Sequence, residues 1–143
     1  MEKPTIKIDD HFEKQILKEQ LDLAQCGMSG VRVAACLIAV NNENKIKSFY
    51  GSNIEIARGR IYHAEETVLV KAISEGYVKP ACIILTANNP KYLVPLCYAC
   101  RAIYAYVEPQ CLVLVLNEKM EDVVMTTVHD SMKYHYESKG FIS

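Results

Sequence analysis

Three short, nearly unbroken apolar runs constrain this chain more than any other feature: RVAACLIAV at 32–40, ACIILT at 81–86 and CLVLVL at 111–116. Each is apolar at successive positions rather than at alternate ones, the pattern of a short strand covered on both faces. Between the runs lie segments of helical spacing. From Asp9 or Asp10, either able to cap a helix, to about Cys26, residues Phe12, Ile16, Leu17, Leu21 and Ala24 share one face and predict an amphipathic first helix. Val68, Leu69, Ala72 and Ile73 predict a second, stopped at Gly76, and a third is expected over about 98–107. The turn NNEN (41–44) returns the chain into KIKSFYG (45–51) as a hairpin, SNIEIARGR (52–60) reads as irregular and NNPKY as a loop. The remainder after 116 predicts one short strand and a final helix. Strands alternating with helices imply an α/β fold, a mixed sheet between helical layers. No internal repeat, linker or low-complexity stretch interrupts the pattern. A chain of 143 residues, 50% of them hydrophobic, is expected to form a single domain over 1–143.

The charge balance narrows the choice of partner. With 16 basic against 17 acidic residues the formal charge is -1, whereas a nucleic-acid binder normally carries a clustered basic excess, so a small-molecule substrate is expected and nucleic acid is not. No apolar run approaches the roughly 20 residues of a membrane span. The opening MEKPTIKIDDHFEKQ lacks the apolar centre of a signal peptide, and a cytoplasmic protein is expected. In that compartment six cysteines read as reduced thiols or metal ligands rather than as disulfides.

Two stretches carry chemistry. YHAEETVLV (62–70) sets His63 and Glu65 at the first turn of the second helix, and PLCYACRA (95–102) sets Cys97 and Cys100 at the start of the third. A catalytic zinc ion takes three protein ligands and leaves the fourth position to water, and one imidazole with two thiolates is such a set. His63, Cys97 and Cys100 supply it. A helix N-terminus favours the thiolate form. Glu65, one residue beyond the histidine's neighbour, suits a proton carrier that is not itself a ligand. A Cys-x-x-Cys alone is as often structural as catalytic. A closed structural site would need a fourth protein ligand, and His11, His129 and Cys111 do not lie at recognisable ligand spacing.

His-x-Glu followed by Pro-Cys-x-x-Cys is the zinc-deaminase signature, met here in all but the proline. Over most of its length the chain resembles the cytidine deaminase family, through SNIEIARGRIYHAEETVLVKAISEG (52–76) and CYACRAIY (97–104). That resemblance implies a three-layer α/β/α sandwich around a mixed sheet of about five strands. It implies zinc on His63, Cys97 and Cys100, with Glu65 as the catalytic proton shuttle. It further implies that Asn53 and Glu55, at the family's Asn-x-Glu, hold ribose hydroxyls, and that the protein is a homo-oligomer, dimer or tetramer. The implied activity is hydrolytic deamination of a free cytosine nucleoside to the uracil nucleoside and ammonia, in pyrimidine salvage. Two alternatives stand beside it: deamination of a modified aminopyrimidine nucleoside such as a nucleoside antibiotic, and a non-catalytic zinc-binding module, against which Glu65 speaks. Departures are also visible. Leu96 stands where the family has proline before the first cysteine, Tyr98 replaces a glycine and Ala102 a glutamine. Val31 and Arg32 replace an aromatic and a proline in the pocket strand, and His63 with Glu66 stand where many members have a cysteine and a later arginine.

Blander roles are expected elsewhere. Cys26, Cys36, Cys82 and Cys111 read as core thiols. Tyr62, Tyr98, Tyr104 and Tyr106 surround the two metal segments and read as packing residues, one of which is a candidate to stack on a base. KYHYE (133–137) reads either as a solvated tail or as an aromatic contribution to a shared pocket. Arg101 reads as a supporting donor behind the site or as a salt-bridge former.

Overall fold

A computed structural model describes residues 5–93 and 95–131, apart from the side chains at 98 and 99. After a 3-10 turn at Ile8–Asp10 come α1 (Lys14–Leu23), β1 (Val33–Val40), β2 (Ile46–Ser52), β3 (Ile54–Ala57), β4 (Arg60–Tyr62) and α2 (Ala64–Ser74). Then follow β5 (Lys79–Ala87), a second 3-10 turn (Pro90–Tyr92), α3 (Tyr98–Val107), β6 (Leu112–Leu116) and β7 (Asp122–Thr127). Five strands form one mixed sheet in the order β2-β1-β5-β6-β7, with only the β5–β6 pair parallel.

The two-residue alternation of each apolar run divides its side chains between two cores. Ala34, Cys36, Ile38, Cys82, Ile84, Leu114 and Leu116 face Leu17 and Leu21 of α1. Ala35, Leu37, Ala39, Ile83, Leu85, Val113 and Val115 face Val68, Leu69 and Ala72 of α2 and Cys100 and Tyr104 of α3. Burying a large aliphatic side chain contributes about 1.5–3 kcal/mol, so this two-sided burial is what drives the sheet to the centre. The expected α/β sandwich is therefore present, with α1 on one face and α2 and α3 on the other.

Two glycines fix α2. Gly76 takes φ +88°, and the donors Gly76 N to Ile73 O (3.0 Å) and Tyr77 N to Ala72 O (2.9 Å) close a Schellman cap. At Gly51 on β2 a β-carbon would stand 3.0 Å from Thr67 Cγ2 and 3.1 Å from Val68 Cγ1, so the absent side chain lets the helix lie close on the sheet.

Three local expectations differ from the structure. The first helix starts at Lys14, because the Glu13 amide donates to the Tyr50 hydroxyl (2.8 Å) and fixes the start against β2, while Asp9 and Asp10 lie in the preceding 3-10 turn. Residues 52–60 are not irregular: β3 and β4 pair as a small hairpin turning through Gly59 at φ +78°. NNPKY contains a 3-10 turn capped by Asn89, whose side chain accepts from Lys91 N. The predicted last strand is β7 and residues 128–131 are helical; the remainder of the segment expected to hold the final helix, KYHYE included, lies outside the described residues.

Candidate active site

Helices α2 and α3 bring their N-termini together beside the carboxyl ends of β5 and β6, the usual place for a site in an α/β sheet. His63 is the N-cap of α2, and the Glu66 side chain accepts from its backbone amide (3.2 Å) in a capping box. Glu65 and Glu66 in the first turn oppose the positive end of the helix. Cys97 is the N-cap of α3, its sulfur accepting from Cys100 N at 3.4 Å.

His63 Nδ1 lies 2.9 Å from Cys97 Sγ and 3.3 Å from Cys100 Sγ. With a carboxylate oxygen of Glu65, these ligand atoms all lie within 4.8 Å of one another. The sequence-predicted metal residues and Glu65 are therefore brought into one cluster. One imidazole nitrogen and two sulfurs converging at this range fit a zinc ion. Within the cluster the negative charge settles on Cys97, while a hydrogen bond to Cys97 and burial push the Cys100 thiol up. A hydrogen bond from Cys100, and then the contact with His63, hold the Cys97 thiol down at about 4. The same Cys97 partner raises His63 to about 9. Glu65, 5% exposed, has its pKa raised first by burial and then by the Cys97 charge, so the site favours a carboxyl that holds a proton. Its Oε2 accepts from Cys97 N at 3.4 Å.

Two side chains of α3 support the site. Tyr104, fully buried, donates to the Glu65 carbonyl at 2.7 Å and ties the first turn of α2 to α3. Arg101, 2% exposed, donates to the carbonyls of Pro95 and Leu96 at 2.9 and 3.0 Å, the supporting part expected of it. Leu96 itself takes φ +58°. Proline, locked near −65°, could not take this backbone, so the departure from the resembled pattern at 96 goes with a different local conformation.

The cluster opens into a cavity of about 300 Å³. Its apolar wall is made by Val31, Val33, Leu85, Leu93 and Val115. Asn53 and Glu55 line the same cavity as His63 and Glu65. The Glu55 Oε1 accepts from Ser29 N (3.1 Å) and Ser29 Oγ (3.0 Å). The Asn53 amide is engaged at both ends, accepting from Val33 N (2.9 Å) and donating to Val31 O (2.7 Å). Of the tyrosines, Tyr92 lines the cavity, whereas Tyr104 is packed behind it and Tyr106 is 93% exposed. Ser29 was missed because its link to Glu55 spans 26 residues, and the cue available was a hydroxyl in the glycine-bracketed loop 27–30.

No protein-family model matches the chain, and no curated protein matches it. Solved structures do. A cytidine deaminase from Burkholderia pseudomallei is 28% identical, with a TM-score of 0.67 over 82% of this chain and 91% of that one. Those from Mycobacterium leprae (17% identical, TM-score 0.64, 88% and 97% covered) and Mycobacterium tuberculosis (16%, 0.64, 88% and 94%) share the fold. Among the described residues no helix is long and apolar enough to cross a membrane. Sheet order, the two helix N-termini and these matches give the chain a cytidine deaminase-like α/β fold.

Proposed function

We propose that the protein is a zinc-dependent hydrolytic deaminase of a free cytosine nucleoside, cytidine or deoxycytidine, acting in nucleoside metabolism. One observation carries the reading: His63 Nδ1 faces both Cys97 and Cys100 sulfurs, with the buried Glu65 carboxyl beside them in the lining of a cavity of about 300 Å³.

His63, Cys97 and Cys100 hold the metal. Zinc bound there supplies Lewis-acid activation of the water that attacks the amine-bearing ring carbon, C4. Glu65 takes one proton from the attacking water and delivers it to ring N3, then takes the second from the oxygen now bonded to C4 and delivers it to the departing amine. The C4–N bond breaks, ammonia leaves and the ring keeps a carbonyl oxygen. Burial suits Glu65 to this task, because a carboxyl whose proton is held above its ordinary range can give as well as accept it. Tyr104 holds the Glu65 backbone in place.

The sugar falls to Glu55, whose Oε1 is fixed by Ser29, so that the remaining carboxylate oxygen accepts from a ribose hydroxyl. Asn53 adjoins it, with one amide hydrogen and one oxygen lone pair beyond those used on Val31 and Val33. A carboxylate here disfavours a nearby phosphate, which argues for nucleosides over nucleotides. The short aliphatic wall at Val31 and Val33 favours a second reading, a modified aminopyrimidine nucleoside.

The test is ammonia release by zinc-loaded protein over cytidine, deoxycytidine, cytosine, cytidine monophosphate and modified cytosine nucleosides. Turnover of cytidine or deoxycytidine ahead of the monophosphate is expected. Activity confined to modified nucleosides moves the second reading ahead, and a protein silent on the whole panel overturns both.

A further inference from the structure

The cavity wall at 30–33 is not held by strands alone. Just beyond the last paired residues of β2 and β5, Asn53 and Asn88 continue the sheet on either side of it with their side chains. On one side Asn53 N donates to Val33 O (3.1 Å), its Oδ1 accepts from Val33 N (2.9 Å), and its Nδ2 donates to Val31 O (2.7 Å). On the other, Asn88 N donates to Arg32 O (3.0 Å), its Oδ1 accepts from Arg32 N (3.0 Å), and its Nδ2 donates to Gly30 O (3.2 Å). The two sets are the same pattern shifted by one residue. With Val31 N on Ser29 Oγ and Gly30 N on Cys26 O, each backbone polar group of 30–33 has a partner.

The alternation of an extended segment then sorts the side chains. Val31 and Val33 line the cavity, while Arg32 turns away and its Nη1 donates to the carbonyls of Leu21, Asp22 and Ala24 at the end of α1. A slip by one residue would exchange these directions.

We infer that Asn88 is a positioning residue: paired with Asn53, it fixes the register of the wall and thereby the place of a bound ring between Val31, Val33 and Glu65. This rests on the nucleoside reading of the same site. Asn88 touches no substrate; it acts through the wall. Asn53 is buried and Asn88 is exposed, so water competes with the Asn88 bonds and its loss leaves the fold standing.

The experiment is Asn88→Ala and Asn88→Asp. The second keeps an acceptor for Arg32 N and loses the donor to Gly30 O. Amide hydrogen exchange over 30–33 is measured by mass spectrometry, with KM and kcat for cytidine and for free cytosine. Exchange should quicken in that segment and stay unchanged in α2. KM should rise on the order of 10-fold for both substrates as the competent wall becomes a fraction of the population, with kcat within about 2-fold. Asn88→Asp should fall between wild type and Asn88→Ala. Unchanged exchange overturns the clamp, and quickened exchange with unchanged KM overturns its link to binding. A wild type silent on every aminopyrimidine overturns the nucleoside reading instead, while the exchange result still judges the clamp.

Discussion

Glu55→Ala is the substitution whose consequence follows most directly from the geometry of the cavity. Two donors from Ser29, at 3.1 and 3.0 Å, occupy Oε1, so the carboxylate is already oriented before any ligand arrives and little side-chain entropy remains to be lost on binding. Truncating a charged hydrogen-bond partner costs about 1.5–3 kcal/mol, or roughly 10- to 150-fold in kcat/KM for a substrate with the sugar. Free cytosine has no hydroxyl to offer and should change by less than about 3-fold, within the usual spread of distant cavity effects. Ser29→Ala leaves the backbone donor in place and removes only the hydroxyl, so it should cost about 0.5–1.5 kcal/mol, roughly 2- to 10-fold, on the nucleoside alone. The assay is ammonia release, read as the ratio of kcat/KM for cytidine to that for cytosine in each variant. Equal losses on both substrates, or a wild type that prefers the monophosphate, would remove Glu55 from the sugar.

Three further outcomes follow from the same structure. In chelator-treated protein near pH 7, alkylation should fall first on Cys97, whose thiol is held down at about 4, while burial pushes Cys36 and Cys82 up to about 12. The Cys97 rate should change little between about pH 6 and 8, where the thiolate predominates, and added zinc should protect it; a peptide map showing Cys36 labelled first, or no zinc protection, would refute the metal assignment. Gly51→Ala sets a β-carbon 3.0–3.1 Å from the stiff side chains of Thr67 and Val68, so it should cost about 1–3 kcal/mol in a denaturant titration, and a neutral result would show that α2 has room to move. Leu96→Pro cannot adopt φ +58° and should lower bound zinc while leaving the far-ultraviolet circular dichroism near wild type; full zinc occupancy would contradict the backbone described at 96.

What the sequence made legible is what local pattern encodes. The three apolar runs became β1, β5 and β6 within about one to two residues at each end, because burial on both faces leaves no other way to satisfy them. α3 begins at Tyr98 and ends at Val107 as expected, and His63 caps α2 beside the two cysteines. The hairpin β3–β4 was missed since its strands are short and largely exposed, with Arg58 and Arg60 breaking any apolar rhythm. The start of α1 was placed too early because a tertiary bond from Glu13 to Tyr50, 37 residues away, outweighs the capping chemistry of Asp9 and Asp10. Around the candidate site, spacing together with the family resemblance pointed to His63, Glu65, Cys97 and Cys100, whose ligand atoms the fold brings within 4.8 Å of one another. The side chains that support the site did not stand out: Ser29 reaches Glu55 across 26 residues, Asn88 reaches Arg32 across 56, and Tyr104 reaches Glu65 across 39. Only the folded sheet brings those pairs together, although an asparagine directly after a buried strand, as at 53 and 88, is a cue to ladder extension worth reading.

Glu65→Gln tests the central claim most directly. The amide keeps the shape of the side chain and the contact with Cys97 N, and leaves His63, Cys97 and Cys100 untouched, but it cannot cycle a proton. Zinc content by metal analysis should remain at one per chain while ammonia release from cytidine falls by at least the 10²- to 10⁴-fold that general acid-base catalysis typically contributes. A zinc-replete Glu65→Gln protein that turns over cytidine at near the wild-type rate would contradict the account.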